Sequence, residues 1–276
     1  MKERRYIVDT TLRDGEQSPG IALLPEDKIK IAKLLDELGV YEIEAGIPVL
    51  CEAEEESICR IIENRKRAKI SVWCRMNKED VKRSIACRPD IVHIGTPVSY
   101  IQIYSKLRKN KTWVIKNILE CVELAKNQGV DVTVGFEDAS RADIGFILSL
   151  AKELKKAGVD IIRIADTVGV LTPSRTMELI QTLVSNTDLM IELHIHNDLG
   201  MAVANSLIGA KAGAKFIDCT LFGIGERTGN CNLYDFVHAA EAAFDLGMTK
   251  KQIKLVEEEV YDILKHILPV DKIHHL

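Results

Sequence analysis

The feature that most narrows the fold is a unit that recurs along the chain. An amphipathic segment stops at a glycine, and an apolar, β-rich run begins two or three residues later. Four copies are plain: DELGVYEIEA around Gly39, KNQGVDVTVGF around Gly129, KKAGVDIIRIA around Gly158 and AKAGAKFIDCT around Gly213. Glycine at a helix C′ position takes a left-handed backbone without a Cβ penalty, so the next strand can start at once. Adding the remaining apolar runs predicts eight strands, near 5–10, 41–46, 69–75, 91–97, 131–137, 161–167, 190–196 and 216–223, with helices between them. The first helix opens at Pro25-Glu26-Asp27, carries Ile29, Ala32, Leu35 and Leu38 on one face, and stops at Gly39. Alternating β and α elements with right-handed crossovers leave a closed barrel or an open doubly wound sheet. Eight evenly spaced units, with no GxGxxG after the first strand, favour the α/β class and within it a (β/α)8 TIM barrel. One more amphipathic helix, Met248 to His266, carries Ile253, Val256, Val260, Ile263 and Leu264 and is surplus to the eight units. The expected organisation is a barrel domain at 1–247 followed by a C-terminal helical tail at 248–276.

Composition removes several classes of function. The 276 residues are 46% apolar and 28% charged with both signs interspersed, which describes a globular protein with one substantial core. A net charge of −4 offers no electrostatic footprint for a nucleic-acid backbone. No signal-peptide pattern and no apolar run near 18 residues is present, so neither a membrane nor export is expected and the location reads as cytoplasmic. Seven cysteines without a CxxC pair suggest neither a disulfide framework nor a structural zinc site; most are expected to be buried small hydrophobes.

In such a barrel, function collects at the C-terminal ends of the strands. Polar residues fall there at nearly every strand: Asp9 to Gln17, Glu42 and Glu44, His93 and Thr96, Glu137-Asp138 with Arg141, Asp166-Thr167, His194 to Asp198, and Gly223 to Asn230 with Glu226 and Arg227. His194 and His196 are two apart, so a strand sends both imidazoles to one face. Asp14 follows the first strand, next but one to the seventh around a closed barrel, and can complete a metal site with positions open for substrate. The competing reading is a pair of hydrogen-bonded core histidines. Arg13 beside Asp14 can neutralise a developing oxyanion or simply brace the Asp14 loop. Glu44 and Glu137 stand where a base or an orienting acceptor would stand. Asn205 reads as a solvent-facing or capping residue, and Cys74 and Cys231 as spectators without an adjacent base.

Three motifs together resemble a known family: Leu12-Arg13-Asp14-Gly15-Glu16-Gln17 with Lys28, His194-x-His196-Asn197-Asp198-x-Gly200, and Gly223-x-Gly225-Glu226-Arg227-x-Gly229-Asn230. The sequence is similar over its whole length to the isopropylmalate/homocitrate synthase branch of the metal-dependent TIM-barrel lyases and condensing enzymes. That resemblance implies one divalent ion, Mg2+, Mn2+ or Zn2+, on Asp14, His194 and His196, with Asn230 a fourth ligand or an outer contact. It implies Arg13 polarising the reacting carbonyls, and Glu44 and Glu137 in catalytic positions. Arg13, His93, Thr96, Arg141, Thr167, Glu226 and Arg227 would contact substrate, with the 223–230 loop closing over the site. The reaction implied is Claisen condensation of acetyl-CoA with a 2-oxo acid.

The 223–230 loop lacks the Cys-Pro of hydroxymethylglutaryl-CoA lyases, which sets that branch aside. Thr133 to Asp143 departs from the lysine-pathway and isopropylmalate patterns, and with Pro97-Val98-Ser99 and Gln102-Ile103 it resembles the nitrogen-fixation homocitrate synthases, implying 2-oxoglutarate as acceptor. Full-length members of the branch continue into subdomains that cap a neighbouring barrel, and the equivalents are not found here. The resemblance therefore implies a homodimer, or a hetero-oligomer in which a separate C-terminal-type subunit docks on the tail helix at 249–266.

Overall fold

The computed structural model describes residues 2–267. Strand β1 (Glu3–Arg4) precedes eight parallel strands: β2 (Tyr6–Asp9), β3 (Glu42–Glu44), β4 (Lys69–Arg75), β5 (Ile91–Pro97), β6 (Asp131–Glu137), β7 (Ile161–Asp166), β8 (Met190–Ile195) and β9 (Phe216–Cys219). β2 to β9 form a closed barrel, shut by β9 pairing with β2 in the register Tyr6↔Phe216 through Asp9↔Cys219. Each falls inside the span the apolar runs predict. The four repeated glycines take the left-handed backbone the pattern requires, with φ of 92° at Gly39, 75° at Gly129, 82° at Gly158 and 119° at Gly213.

Helices α1 (Pro25–Leu38), α2 (Glu52–Asn64), α3 (Lys78–Ala86), α4 (Lys111–Lys126), α5 (Ile144–Lys156), α6 (Pro173–Asn186), α7 (Ala202–Ala212) and α8 (Leu233–Ala240) each follow a barrel strand. In α1 the buried face is Ile31, Ala32, Leu35 and Leu38, and the Asp27 carboxylate accepts from the Leu24 N–H at 3.1 Å to finish the first turn. No described helix is long and apolar enough to cross a membrane.

The surplus helix is α9 (Lys250–Leu264), and it has a place in the ring. α8 has only 8 residues, and α9 packs against both α8 and α1, burying Ile253, Val260, Ile263 and Leu264. Its apolar stripe is covered by the chain's own barrel, because a short α8 leaves room beside α1. The tail from 268 to 276 lies outside the described residues. α9 also reaches the mouth, where the Glu257 carboxylate accepts from the Phe222 N–H at 3.1 Å.

Sequence periodicity does not signal one small pairing: β1 runs parallel to β10 (Phe244–Asp245), held by Arg4 to Asp245 at 2.9 Å. Two residues are too few for any period to show. Beside it, Arg5 lies over the Phe244 ring and donates to the Ala210 carbonyl at 2.8 Å, closing the far end of the barrel.

Five of the seven cysteines are buried, Cys51 is exposed and Cys59 is partly covered. Burial pushes the Cys74 thiol up to about 12 and the Cys121 thiol to about 11. Titration of the native protein with a thiol reagent at pH 8 is therefore expected to modify Cys51 first and Cys59 slowly. The remaining five should react only after denaturation, and rapid reaction of Cys74 or Cys231 in the native state would contradict the packing.

Candidate metal centre and active-site cavity

The barrel interior carries charge where apolar side chains normally fill it. Arg163, on β7, is fully enclosed; its Nη1 lies 2.6 Å from Glu44 Oε2, and its Nε contacts Glu192 and, at 3.0 Å, Asp218 Oδ2. The path continues upward on both sides. Asp218 Oδ2 lies 3.0 Å from His194 Nδ1, while Glu44 binds Arg13 Nε and Arg13 Nη1 donates to Asp14 Oδ2 at 2.7 Å. A bracketed scaffold of carboxylates and guanidiniums thus fixes the residues at the mouth before any ligand arrives.

At its top, Asp14, His194 and His196 each present one donor atom, all within 4.8 Å of one another and all buried. His194 Nε2 is 3.4 Å from Asp14 Oδ2 and 3.3 Å from His196 Nε2. One carboxylate oxygen and two imidazole nitrogens converging on a point are a donor set for a divalent ion. Asn230 joins them from the β9 loop: its Nδ2 donates to Asp14 Oδ1 at 2.7 Å, and its buried Oδ1 has no partner among the described residues. An unpartnered buried oxygen beside a ligand carboxylate is a further observation that fits a cation here.

The electrostatics agree. Burial opposes ionisation of Asp14, but Arg13 and the two histidines hold its carboxyl well below the usual range. Burial also works against charge on His194, yet Asp14 and Asp218 raise it to about 9, while burial and His194 lower His196 to about 4. At pH 7.5 the metal-free site therefore holds a proton on His194 that a cation must displace. Titrating Mn2+ into metal-free protein is expected to release about one proton per ion, with affinity rising between pH 6.5 and about 9. Calorimetry in buffers of different ionisation enthalpy measures this, and no proton release would contradict the site.

A cavity of about 200 Å³ opens beside these ligands, lined among others by Arg13, Trp73, His93, Glu137, Thr167 and Glu226. Two glycines make room in it. A Cβ on Gly135 would collide with the His93 ring, and one on Gly95 would lie 2.6 Å from Glu137 Oε1 and 2.7 Å from Trp73. His93 is neutral, its pKa driven well below 6.5 by burial and Arg163, and Nδ1 pairs with Thr133 Oγ1 at 2.7 Å. Burial raises the Glu137 carboxyl against the pull of Lys106 and Arg13. Glu44 differs. Burial opposes its charge, but Arg13 and Arg163 outweigh burial and keep it ionised. It braces Arg13, the orienting one of the two roles its position leaves open.

Other expected contacts stand elsewhere. Thr96 is fully buried; His93 and Gly95 face the cavity, so strand alternation turns Thr96 toward the helices. Arg141 is not a cavity residue, being occupied with Asp138 through bonds of 2.8 and 2.7 Å. Arg227 ties the β9 loop down instead, donating to Asp198 at 2.9 Å and to the Thr167 carbonyl at 2.8 Å. Asn205 is buried, not solvent-facing: its Nδ2 donates to the Leu171 carbonyl at 2.8 Å, because α7 turns that face to the β7 loop. Lys28 is also enclosed, 2.5 Å from both Glu16 and Glu54, and so joins the loops carrying Gln17 and Ile47. Cys231 lies 3.8 Å from Cys219 with no base beside it.

The family model described as HMGL-like matches residues 4–263, nearly all of the described chain. The chain belongs to the HMGL-like family. It is homocitrate synthase-like within it: the chain is 48% identical over 231 residues to the homocitrate synthase subunit alpha of Clostridium pasteurianum, covering 84% of this chain and 86% of that one. It is 43% identical to 2-isopropylmalate synthase 2 of Caldanaerobacter subterraneus subsp. tengcongensis, covering 92% of this chain and 67% of the relative. The HMG-CoA lyase structure from Bacillus subtilis superposes with a TM-score of 0.85 at 17% identity, covering 99% and 97% of the two chains, which speaks for the fold alone.

Arg163, Glu192 and Asp218 are absent from the residues singled out by sequence. A signal was available for two of them, since each interrupts an apolar strand run at the same parity as a cavity residue: Arg163 with Ala165, Glu192 with His194.

Proposed function

We propose that this protein joins acetyl-CoA to 2-oxoglutarate, giving homocitrate and CoA, with one divalent ion, Mg2+, Mn2+ or Zn2+, on Asp14, His194 and His196. The observation that carries the reading is the converged donor triad with Arg13 at its side and a small polar cavity in front. Identity of 48% to a homocitrate synthase subunit supports the choice of acceptor. An ion held there supplies Lewis acidity toward the keto group of the acceptor.

The chain's own residues account for the rest. Arg13, held rigid by Asp14 and Glu44, stands where the keto oxygen gains negative charge as the acetyl methyl carbon attacks. Glu137 and neutral His93 line the same space and are the groups placed to move protons during attack. Hydrolysis of the thioester then releases CoA. Thr167 and Glu226 border the acceptor, and the Arg227 to Asp198 bond closes the loop over it.

Relatives named 2-isopropylmalate synthase and (R)-citramalate synthase at 43% and 42% identity favour a second reading, the same condensation on 2-oxoisovalerate or pyruvate. A CoA-release assay over 2-oxoglutarate, 2-oxoisovalerate, pyruvate and oxaloacetate decides between them. Release greatest with an acceptor other than 2-oxoglutarate would replace the first reading by the second, and release with none would remove both.

The reading includes a cytoplasmic enzyme that works with a second chain, a copy of itself or a separate subunit. In its support, the relative from Clostridium is named a subunit alpha, and Leu24, Leu50, Tyr100, Ile101 and Leu199 stand exposed on loops that ring the mouth. Sedimentation of the protein alone and with candidate subunits tests it, and a monomer that is fully active alone would count against it.

A further inference from the structure

The segment from Thr220 to Asn232 joins the donor triad to the outer helices. Within it the Thr220 hydroxyl donates to the Ile224 carbonyl at 2.8 Å, and the Asn230 N–H donates to the Gly223 carbonyl at 2.9 Å. Asn230 Nδ2 reaches the Ile224 carbonyl at 3.0 Å as well as Asp14 Oδ1. The fit is close: a Cβ on Gly15 would lie 3.0 Å from Ile224 Cγ1, and one on Gly225 would collide with Asn230 Nδ2. The placement of Gly223 and Ile224 therefore decides where Asn230 meets Asp14 and where Glu226 borders the cavity.

That placement starts from a strained residue. Phe222 has φ 58° and ψ 4°, a left-handed backbone that is costly for any residue with a Cβ, and Gly223 follows at φ 68°. The Phe222 N–H donates to Glu257 on α9 at 3.1 Å. Helical spacing puts Glu257 on the inward stripe of α9, four residues after Ile253 and three before Val260, whereas Glu258 and Glu259 face solvent. Glu257 is half-buried and forms no ion pair among the described residues, so the Phe222 N–H is the group that offsets its desolvation.

We infer that Glu257 is a positioning residue for the metal and acceptor site: by holding the Phe222 N–H it keeps the left-handed turn closed and the 223–230 loop seated over Asp14. The inference rests on the metal-site reading above. The contacts run from α9 through Phe222, Gly223 and Asn230 to Asp14, and every link is a hydrogen bond or a single peptide unit. A carboxylate suits the first link, because it accepts from a backbone N–H more strongly than a carbonyl does and can offset the strain of a left-handed residue. Glycine at 222 would make the same turn without a Cβ penalty. Phenylalanine stands there, its ring packed against the core, and the turn is braced from outside instead.

The test uses glycine as a rescue. In Glu257→Ala, Kd for Mn2+ is expected to rise about tenfold and KM for the 2-oxo acid about three- to tenfold. Amide hydrogen exchange across 222–230 should quicken in the metal-free protein, a readout that needs neither metal nor turnover. Glu257→Gln keeps an acceptor oxygen and should recover most of each change, and Glu258→Ala, on the solvent side of the same helix, should match the parent. The deciding arm is the background at 222. With Phe222→Gly, Glu257→Ala should move Kd by less than about twofold, because the turn no longer needs a brace. With Phe222→Ala, which removes the ring but keeps the Cβ, the full effect should remain. Equal effects in the two backgrounds overturn the inference. So does a fall in Tm with Kd, KM and exchange unchanged, the result expected of helix packing alone. If the parent protein binds no Mn2+ but exchange responds as described, the loop-holding role stands and the metal-site reading fails.

Discussion

Replacing His194 by alanine is expected to lower kcat/KM for condensation by about 10³-fold or more, roughly 4 kcal/mol of transition-state stabilisation. Bound metal should fall from stoichiometric to near zero after desalting. Two losses coincide. The Nε2 donor disappears from a set of three, and the Asp218 carboxylate below loses the imidazole it meets at 3.0 Å. That leaves a buried acid with Arg163 as its remaining close partner, and Asp14 with weaker neutralisation. Asp218→Asn separates the two effects, because it keeps all three donors and removes only the charge that orients His194. A change of this kind should cost about 10- to 100-fold in metal affinity. Metal content by atomic spectroscopy and a CoA-release assay measure both variants. His194→Ala protein that keeps one metal per chain and activity within tenfold would show that the catalytic centre lies elsewhere.

The convergence of these three donors was legible in sequence for a geometric reason. A spacing of two residues on a strand puts His194 and His196 on one face whatever the tertiary context, and Asp14 follows the strand that lies next but one. Parity also had more to give. His93 facing inward obliges Thr96, three residues on, to face the helices, so its full burial outside the cavity follows from the same rule. Arg141 and Arg227 were harder, because proximity to a strand end does not say whether a guanidinium meets substrate or braces a loop. The deciding carboxylates, Asp138 and Asp198, sit three residues away in one case and on another loop in the other. The role of α9 was hidden for a third reason. Counting eight strand–helix units makes a ninth helix look free, and only packing reveals that the 8-residue α8 leaves α9 a seat beside α1.

The lower part of the barrel's charged interior was the least legible, since Arg163, Glu192 and Asp218 are each a lone charge among apolar neighbours, and it carries the largest expected stability effect. Arg163→Met removes a guanidinium of similar length and leaves Glu44, Glu192 and Asp218 buried with less compensation. Breaking a buried ion-pair network from one side costs about 3–5 kcal/mol, which for a chain of this size lowers Tm by roughly 6–15 °C. The deficit should also depend on pH, with a definite sign. Burial and neighbouring acids already push Glu42 up to about 7, against the help of Ser71 and Arg163. A carboxyl whose folded pKa is raised binds a proton in the fold that the unfolded chain, titrating near 4.5, has released. Stability therefore falls as pH climbs from about 4.5 through the folded pKa. Without Arg163, Glu42 and Glu192 lose the cation that opposes their upward shift and move further in the same direction, so the variant should lose less stability at pH 5 than at pH 8. Denaturant unfolding of both proteins at the two pH values measures the difference. A deficit below about 1 kcal/mol, or one larger at pH 5, would mean that the interior acids are already neutral without Arg163 and that the path from Glu44 to His194 is not held by charge.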